Sequence, residues 1–121
     1  MFADQPPATP RHAPAPRRKV PAERLEAAIK ALAQGEGQIV IHREVPWASI
    51  TFAGSRHTLS LSFSGARAVE AGEQLIAALP DHEFVIPGQL VADAQVHGVD
   101  HALLPEPVMR VEVELLLLQE S

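Results

Sequence analysis

The chain has 121 residues, 46% of them hydrophobic and 21% charged, with a net charge of −5 and no cysteine. That length holds one domain, and the missing thiols exclude disulfides, thiolate metal sites and a cysteine nucleophile. Four Phe, one Trp and no Tyr leave little for a stacking platform, so neither a flat cofactor nor a run of unpaired bases is an expected ligand.

The first twenty residues, MFADQPPATPRHAPAPRRKV, carry Arg11, Arg17, Arg18 and Lys19 against Asp4 alone, and six of the eleven prolines fall within the first 21 residues. A segment so poor in apolar side chains cannot offset its ordering entropy, and residues 1–20 are expected to be a disordered, basic tail of polyproline II character. It lacks the apolar stretch of a secretory signal, and no apolar run nears the roughly 18 residues of a membrane span. The expected location is cytoplasmic, with no membrane partner. Eight Arg against two Lys, with 19 Ala, suit a GC-rich bacterial genome.

The body, residues 21–121, is predicted to be a single α+β domain. Pro21 suits a first helical position, and Leu25, Ala28, Ile29 and Leu32 mark one helical face before Gly35. From Gln38 the period becomes two. Ile39, Ile41 and Val45 alternate with Val40, His42 and Glu44 up to Pro46, followed by Trp47. Ile50 and Phe52 read as a second short strand. Leu59, Leu61 and Phe63 then alternate with Thr58, Ser60 and Ser62, and His57 shares the apolar parity. Ser64 is placed to cap a helix carrying Val69, Gly72, Ile76 and Leu79, which Pro80 ends. A mid-helix Gly72 costs about 1 kcal/mol against Ala, which either a close helix–sheet approach or plain tolerance explains.

Phe84 and Ile86 make at most a short strand. Leu90, Ala92, Ala94 and Val96 alternate with Val91, Asp93, Gln95 and His97, and Gly98 to Pro107 reads as a loop. Met109, Val111, Val113, Leu115 and Leu117 then keep strict alternation against Arg110, Glu112 and Glu114, which predicts a central strand. The order is α-β-β-β-α-β-β. Its simplest packing is a two-layer sandwich: a mainly antiparallel sheet of about five strands with two helices on one face.

The α-β-β-β-α portion over 22–79 has the topology of a double-stranded RNA-binding domain. That fold needs Lys/Arg at the start of its second helix. Here SGARAVEAGE supplies Arg67 followed by Glu70 and Glu73, on a body whose net charge is −8, so nucleic acid is not an expected partner.

No phosphate loop, HExxH or GxSxG is present, and no catalytic residue can be named. HGVDH groups His97, Asp100 and His101, the one set with metal-ligand chemistry; as exposed loop residues they give weak grounds for a metal, and none is expected. His42, Asp93, His97 and Glu112 share outward parity and define the alternative of a small ligand-binding domain or enzyme on the polar sheet face. Leu116 and Leu118 share parity with charged residues, so either the strand's end is buried on both faces or the two form an exposed apolar spot that a partner covers, and the partner is the expected alternative. With Trp47 they are the candidate interface. The leading expectation is a non-catalytic interaction or assembly module that binds a protein partner or pairs as a homodimer.

Overall fold

The computed structural model describes residues 14–120. Of the disordered tail expected over residues 1–20, residues 1–13 lie outside them, while residues 14–20 belong to a helix that begins at Pro14 and has Pro21 inside it rather than at its first position. The described residues form helix α1 (Pro14–Leu32), strands β1 (Gln38–Ala48) and β2 (Ala53–Ser64), helix α2 (Ala66–Ala78), a 3-10 turn (Leu79–Asp81), and strands β3 (Gln89–Ala102) and β4 (Val108–Gln119). The class is the expected α+β, with four strands. They lie in the order β1-β2-β4-β3, every neighbouring pair antiparallel. No helix among the described residues is long and apolar enough to cross a membrane.

The difference in strand number has a local cause. Ile50 and Phe52 are not a strand; they lie in the four-residue connection of one long β1–β2 hairpin. Ser49 closes that turn: its N–H donates to the Phe52 carbonyl at 2.7 Å, and its hydroxyl accepts from the Phe52 N–H at 3.0 Å. The element order is thus α-β-β-α-β-β, and the likeness to an RNA-binding topology ends there. Ile86 makes only an isolated bridge to Gln89. In the other direction, β3 continues to Ala102 through HGVDH, which is strand rather than loop, because its backbone keeps pairing with β4 as far as Val108.

Both helices cover one face of the sheet. Leu25, Ile29 and Ala33 from the α1 segment and Ala68, Val69 and Leu75 from α2 join Leu59, Leu61 and Phe63 of β2 and the odd-numbered residues of β4 in one buried cluster. β4 lies between β2 and β3, the central position its alternation predicts. Two side-chain bonds fasten the end of α1. The Lys30 ammonium donates to the Gly37 carbonyl at 2.6 Å, and Gln34 donates to Gln74 of α2. Ser64 does not cap α2. It remains paired with Val108 in the sheet, and Gly65, at φ 93°, takes the N-cap position without a side-chain bond. Its N–H goes to the Pro107 carbonyl at 2.8 Å instead, which fastens the β2–α2 corner to the start of β4.

Bulges reset which residues face the helices. In β1 the register shifts between Ile39 and Ile41, so Val40 is the extra residue. Ile39 faces the core, but from there on His42 and Glu44 face it too, opposite Leu59 and His57. Ile41, Arg43, Val45 and Trp47 are turned to the uncovered face, the reverse of strict alternation. In β3 a bulge at Ala92 sends Leu90 outward while Val91, Ala94 and Val96 pack on the core, and a second at His97 precedes Gly98.

Candidate functional site

The sheet face away from the helices is uncovered, and the ladders give its layout. Four cross-strand rows matter. The first is Trp47, Gly54, Leu118 and Leu90; the second is Val45, Arg56, Leu116 and Asp93. The third is Arg43, Thr58, Glu114 and Gln95, and the fourth is Ile41, Ser60, Glu112 and Gly98. The first row is apolar from one edge strand to the other, and Val45 and Leu116 of the second row extend it beside Arg56 and Asp93. Val45 is 58% exposed, Leu90 47% and, beside them on the hairpin turn, Phe52 49%. Trp47 and Leu116 are half-buried, while Leu118 is only 7% exposed because it lies at the floor of this end. A cleft of about 800 Å³ opens there between Phe52, Leu90, Leu118 and Glu120.

Next to the apolar end is an ion-pair node. The Glu114 carboxylate accepts from Arg56 Nη1 at 2.7 Å through one oxygen and lies 2.9 Å from His97 Nε2 through the other. The charges on this face are divided. Arg43 and Arg56 lie on β1 and β2, whereas Asp93, Asp100, Glu112 and Glu114 lie on β3 and β4, with Arg110 among them.

On the covered face, the bulge at Val40 assembles a group that alternation does not reveal. His42 Nδ1 is 2.6 Å from Glu26 Oε2 on α1, and His42 Nε2 is 2.9 Å from His57 Nδ1. An ionised carboxylate only accepts, so His42 donates from Nδ1; a neutral His42 then accepts at Nε2 from the His57 Nδ1–H. His57 is 1% exposed. Burial pushes its pKa below the usual histidine value of 6.5, the Glu44 carboxylate opposes that, and His42 adds to it. Glu44 in turn accepts from the Ser55 hydroxyl at 3.2 Å. The relay therefore satisfies the buried His57 and links α1 to the β1–β2 hairpin.

A pH dependence of stability follows. The folded-state pKa of His57 lies below its unfolded value, so the unfolded chain binds the extra proton. The contribution is complete above about pH 6.5, the unfolded value, and is lost as pH falls toward the folded pKa. The melting temperature should drop on going from pH 7 to pH 5, and His57→Gln, which keeps a donor toward His42, should flatten that drop. An unchanged slope in the variant would remove His57 as its source.

The sequence-derived site residues are redistributed. His42 leaves the polar face, so it cannot join Asp93, His97 and Glu112. Those three share the uncovered face without converging: Asp93 accepts from Gln95 at 2.7 Å, His97 pairs with Glu114, and Glu112 faces Ser60 and Gly98. His97, Asp100 and His101 are exposed on strand β3, where Asp100 opposes Arg110 and the adjacent His101 points to the other face, opposite Met109. Among the described residues no group of three His, Asp or Glu side chains is arranged to hold a metal ion. Trp47, Leu116 and Leu118 do come together at one end of one face. Sequence reasoning missed Val45 and Leu90 there, and Glu26 in the relay. The signal for the first was Ile39-Val40-Ile41, three successive apolar residues that strict alternation cannot place. The chain matches no family model, no curated protein and no solved structure.

Proposed function

We propose that this protein is a non-catalytic docking module whose uncovered sheet face binds a protein surface. The observation that carries this reading is the apolar end of that face, where Val45 and Trp47 of β1, Leu116 and Leu118 of β4 and Leu90 of β3 share two adjacent rows, with Gly54 and Arg56 of β2 between them. An antiparallel sheet with one solvated face ordinarily carries polar side chains there. A contiguous apolar patch rimmed by charge is the usual mark of a protein contact. The rim here is the Arg56–Glu114–His97 node. The titratable groups of the molecule are divided between two faces of the sheet, which argues for binding rather than for a catalytic constellation.

The test is site-specific photocross-linking in the cells that make the protein. A photoreactive residue at Val45 or Leu90 should give discrete covalent adducts. The same residue at Ala77, exposed on α2, should give none. Equal yields at all three positions, or no adduct from the face positions, would overturn the docking reading.

A further inference from the structure

We infer that the occupant of this face is a second copy of the same chain, packed sheet on sheet about a two-fold axis that runs parallel to the strands. The inference rests on the docking reading above and adds the partner and the geometry.

The argument is one of self-complementarity. A face-to-face homodimer has its two-fold axis in the plane between the sheets. An axis parallel to the strands keeps each strand end over its own equivalent and exchanges the edges, so β1 of one copy lies over β3 of the other and β2 over β4. Most of the pairings this produces are favourable; the exceptions are in the second row, where Val45 lies over the partner's Asp93 and Arg56 over the partner's Leu116. The apolar end meets the apolar end. In the first row, Trp47 lies over the partner's Leu90, and Leu118 lies over the partner's Gly54, where no side chain competes for the space. The half of the face that carries Arg43 and Arg56 lies over the half that carries Asp93, Asp100, Glu112 and Glu114. An in-plane axis perpendicular to the strands does the opposite. It places the apolar end over Ser62, Arg110 and Asp100, and stacks each charged half on itself.

The area is sufficient. Four strands about 4.8 Å apart, each about 11 residues long at about 3.3 Å per residue, present roughly 700 Å². Two copies together bury about 1,400 Å², which falls within the range of stable, specific interfaces. Aligned sheet packing at about 10 Å separation is an established arrangement for such faces.

The experiment measures the mass of the purified full chain by light scattering and sedimentation from about 1 to 100 μM, a span that covers micromolar dissociation constants. The expected result is twice the chain mass. Val45→Asp sets a carboxylate over the partner's Asp93, and like charges across an interface should weaken the dimer at least about 100-fold. Val45 and Asp93 lie on opposite edge strands of one chain and cannot meet within it. The double variant Val45→Asp with Asp93→Lys should therefore restore the dimer through the partner alone. Circular dichroism confirms that each variant is folded, and Leu90→Asp with its own mass measurement replaces Val45→Asp if that one is not.

Each other outcome is decisive. A monomeric wild-type chain overturns the second copy as occupant, and the cross-linking then judges the docking reading by itself. A dimer indifferent to both Val45→Asp and Leu90→Asp places the contact elsewhere and overturns the inference, with the docking reading again judged by the cross-linking. A dimer lost with Val45→Asp and not restored by Asp93→Lys overturns the axis.

Discussion

Val113→Asp should leave the protein unfolded at 25 °C. Val113 is 0% exposed, on the central strand, with Leu59 on one side in the ladder and Val96 on the other. Its side chain points at the helices, into a cluster that contains no cation to pair with a carboxylate. A buried charge without a partner costs about 3–5 kcal/mol, and loss of the valine's own packing adds to that. Domains of this size hold only about 5–15 kcal/mol in total. Far-ultraviolet circular dichroism at 25 °C reads the outcome. The control is the next residue, Glu112, exposed on the other face. Glu112→Gln should change stability by less than about 0.5 kcal/mol, and so move the melting temperature by under about 4 °C. If Val113→Asp melts cooperatively near the wild-type temperature, β4 is not the core strand described here.

That contrast between neighbours also shows what the sequence made legible. Met109 through Leu117 alternate without interruption, and the structure puts β4 in the middle of the sheet with those residues buried. Leu59, Leu61 and Phe63 are equally regular, and β2 follows the same parity from His57 onward. The helices were readable from Leu25, Ala28, Ile29 and Leu32 and from Val69, Gly72, Ile76 and Leu79, whose three- and four-residue spacings mark one helical face. What alternation could not supply was the effect of one extra residue. Each bulge reverses the faces of everything beyond it, and a bulge is decided by pairing with another strand rather than by local pattern. Thus His42 was expected on the wet face and is on the core side, bonded to Glu26 and His57. Val45 and Leu90 were expected to point inward and instead extend the apolar end around Trp47, Leu116 and Leu118. The interface candidates at Leu116 and Leu118 were visible because β4 has no bulge, so an apolar residue out of parity could be recognised as such.

Gly72 is the other position where local cost implies a tertiary reason, and Gly72→Ala should destabilise the protein by about 1–3 kcal/mol although alanine is the better helix former by about 1 kcal/mol. A Cβ at Gly72 would lie 2.5 Å from Met109 Cε and 2.9 Å from Phe63 Cδ1. Phe63 and Met109 are ladder partners on β2 and β4, so α2 crosses the sheet directly over them. The opposite side of the Phe63 ring is occupied as well, because a Cβ at Gly37 would lie 2.5 Å from its Cε2. The ring therefore has nowhere to retreat, while the methionine end is flexible. Met109→Val, which removes Cε, should recover part of the loss when combined with Gly72→Ala. The double-mutant cycle should show a favourable coupling within the range of about 0.5–3 kcal/mol seen for contacting residues. Gly72→Leu should cost more than Gly72→Ala and should not be rescued, since its longer side chain meets the phenylalanine ring directly. Equilibrium urea unfolding of the four cycle members measures all of this. A Gly72→Ala variant more stable than wild type by the helix-propensity difference would mean that α2 stands further from β2 and β4 than these contacts place it.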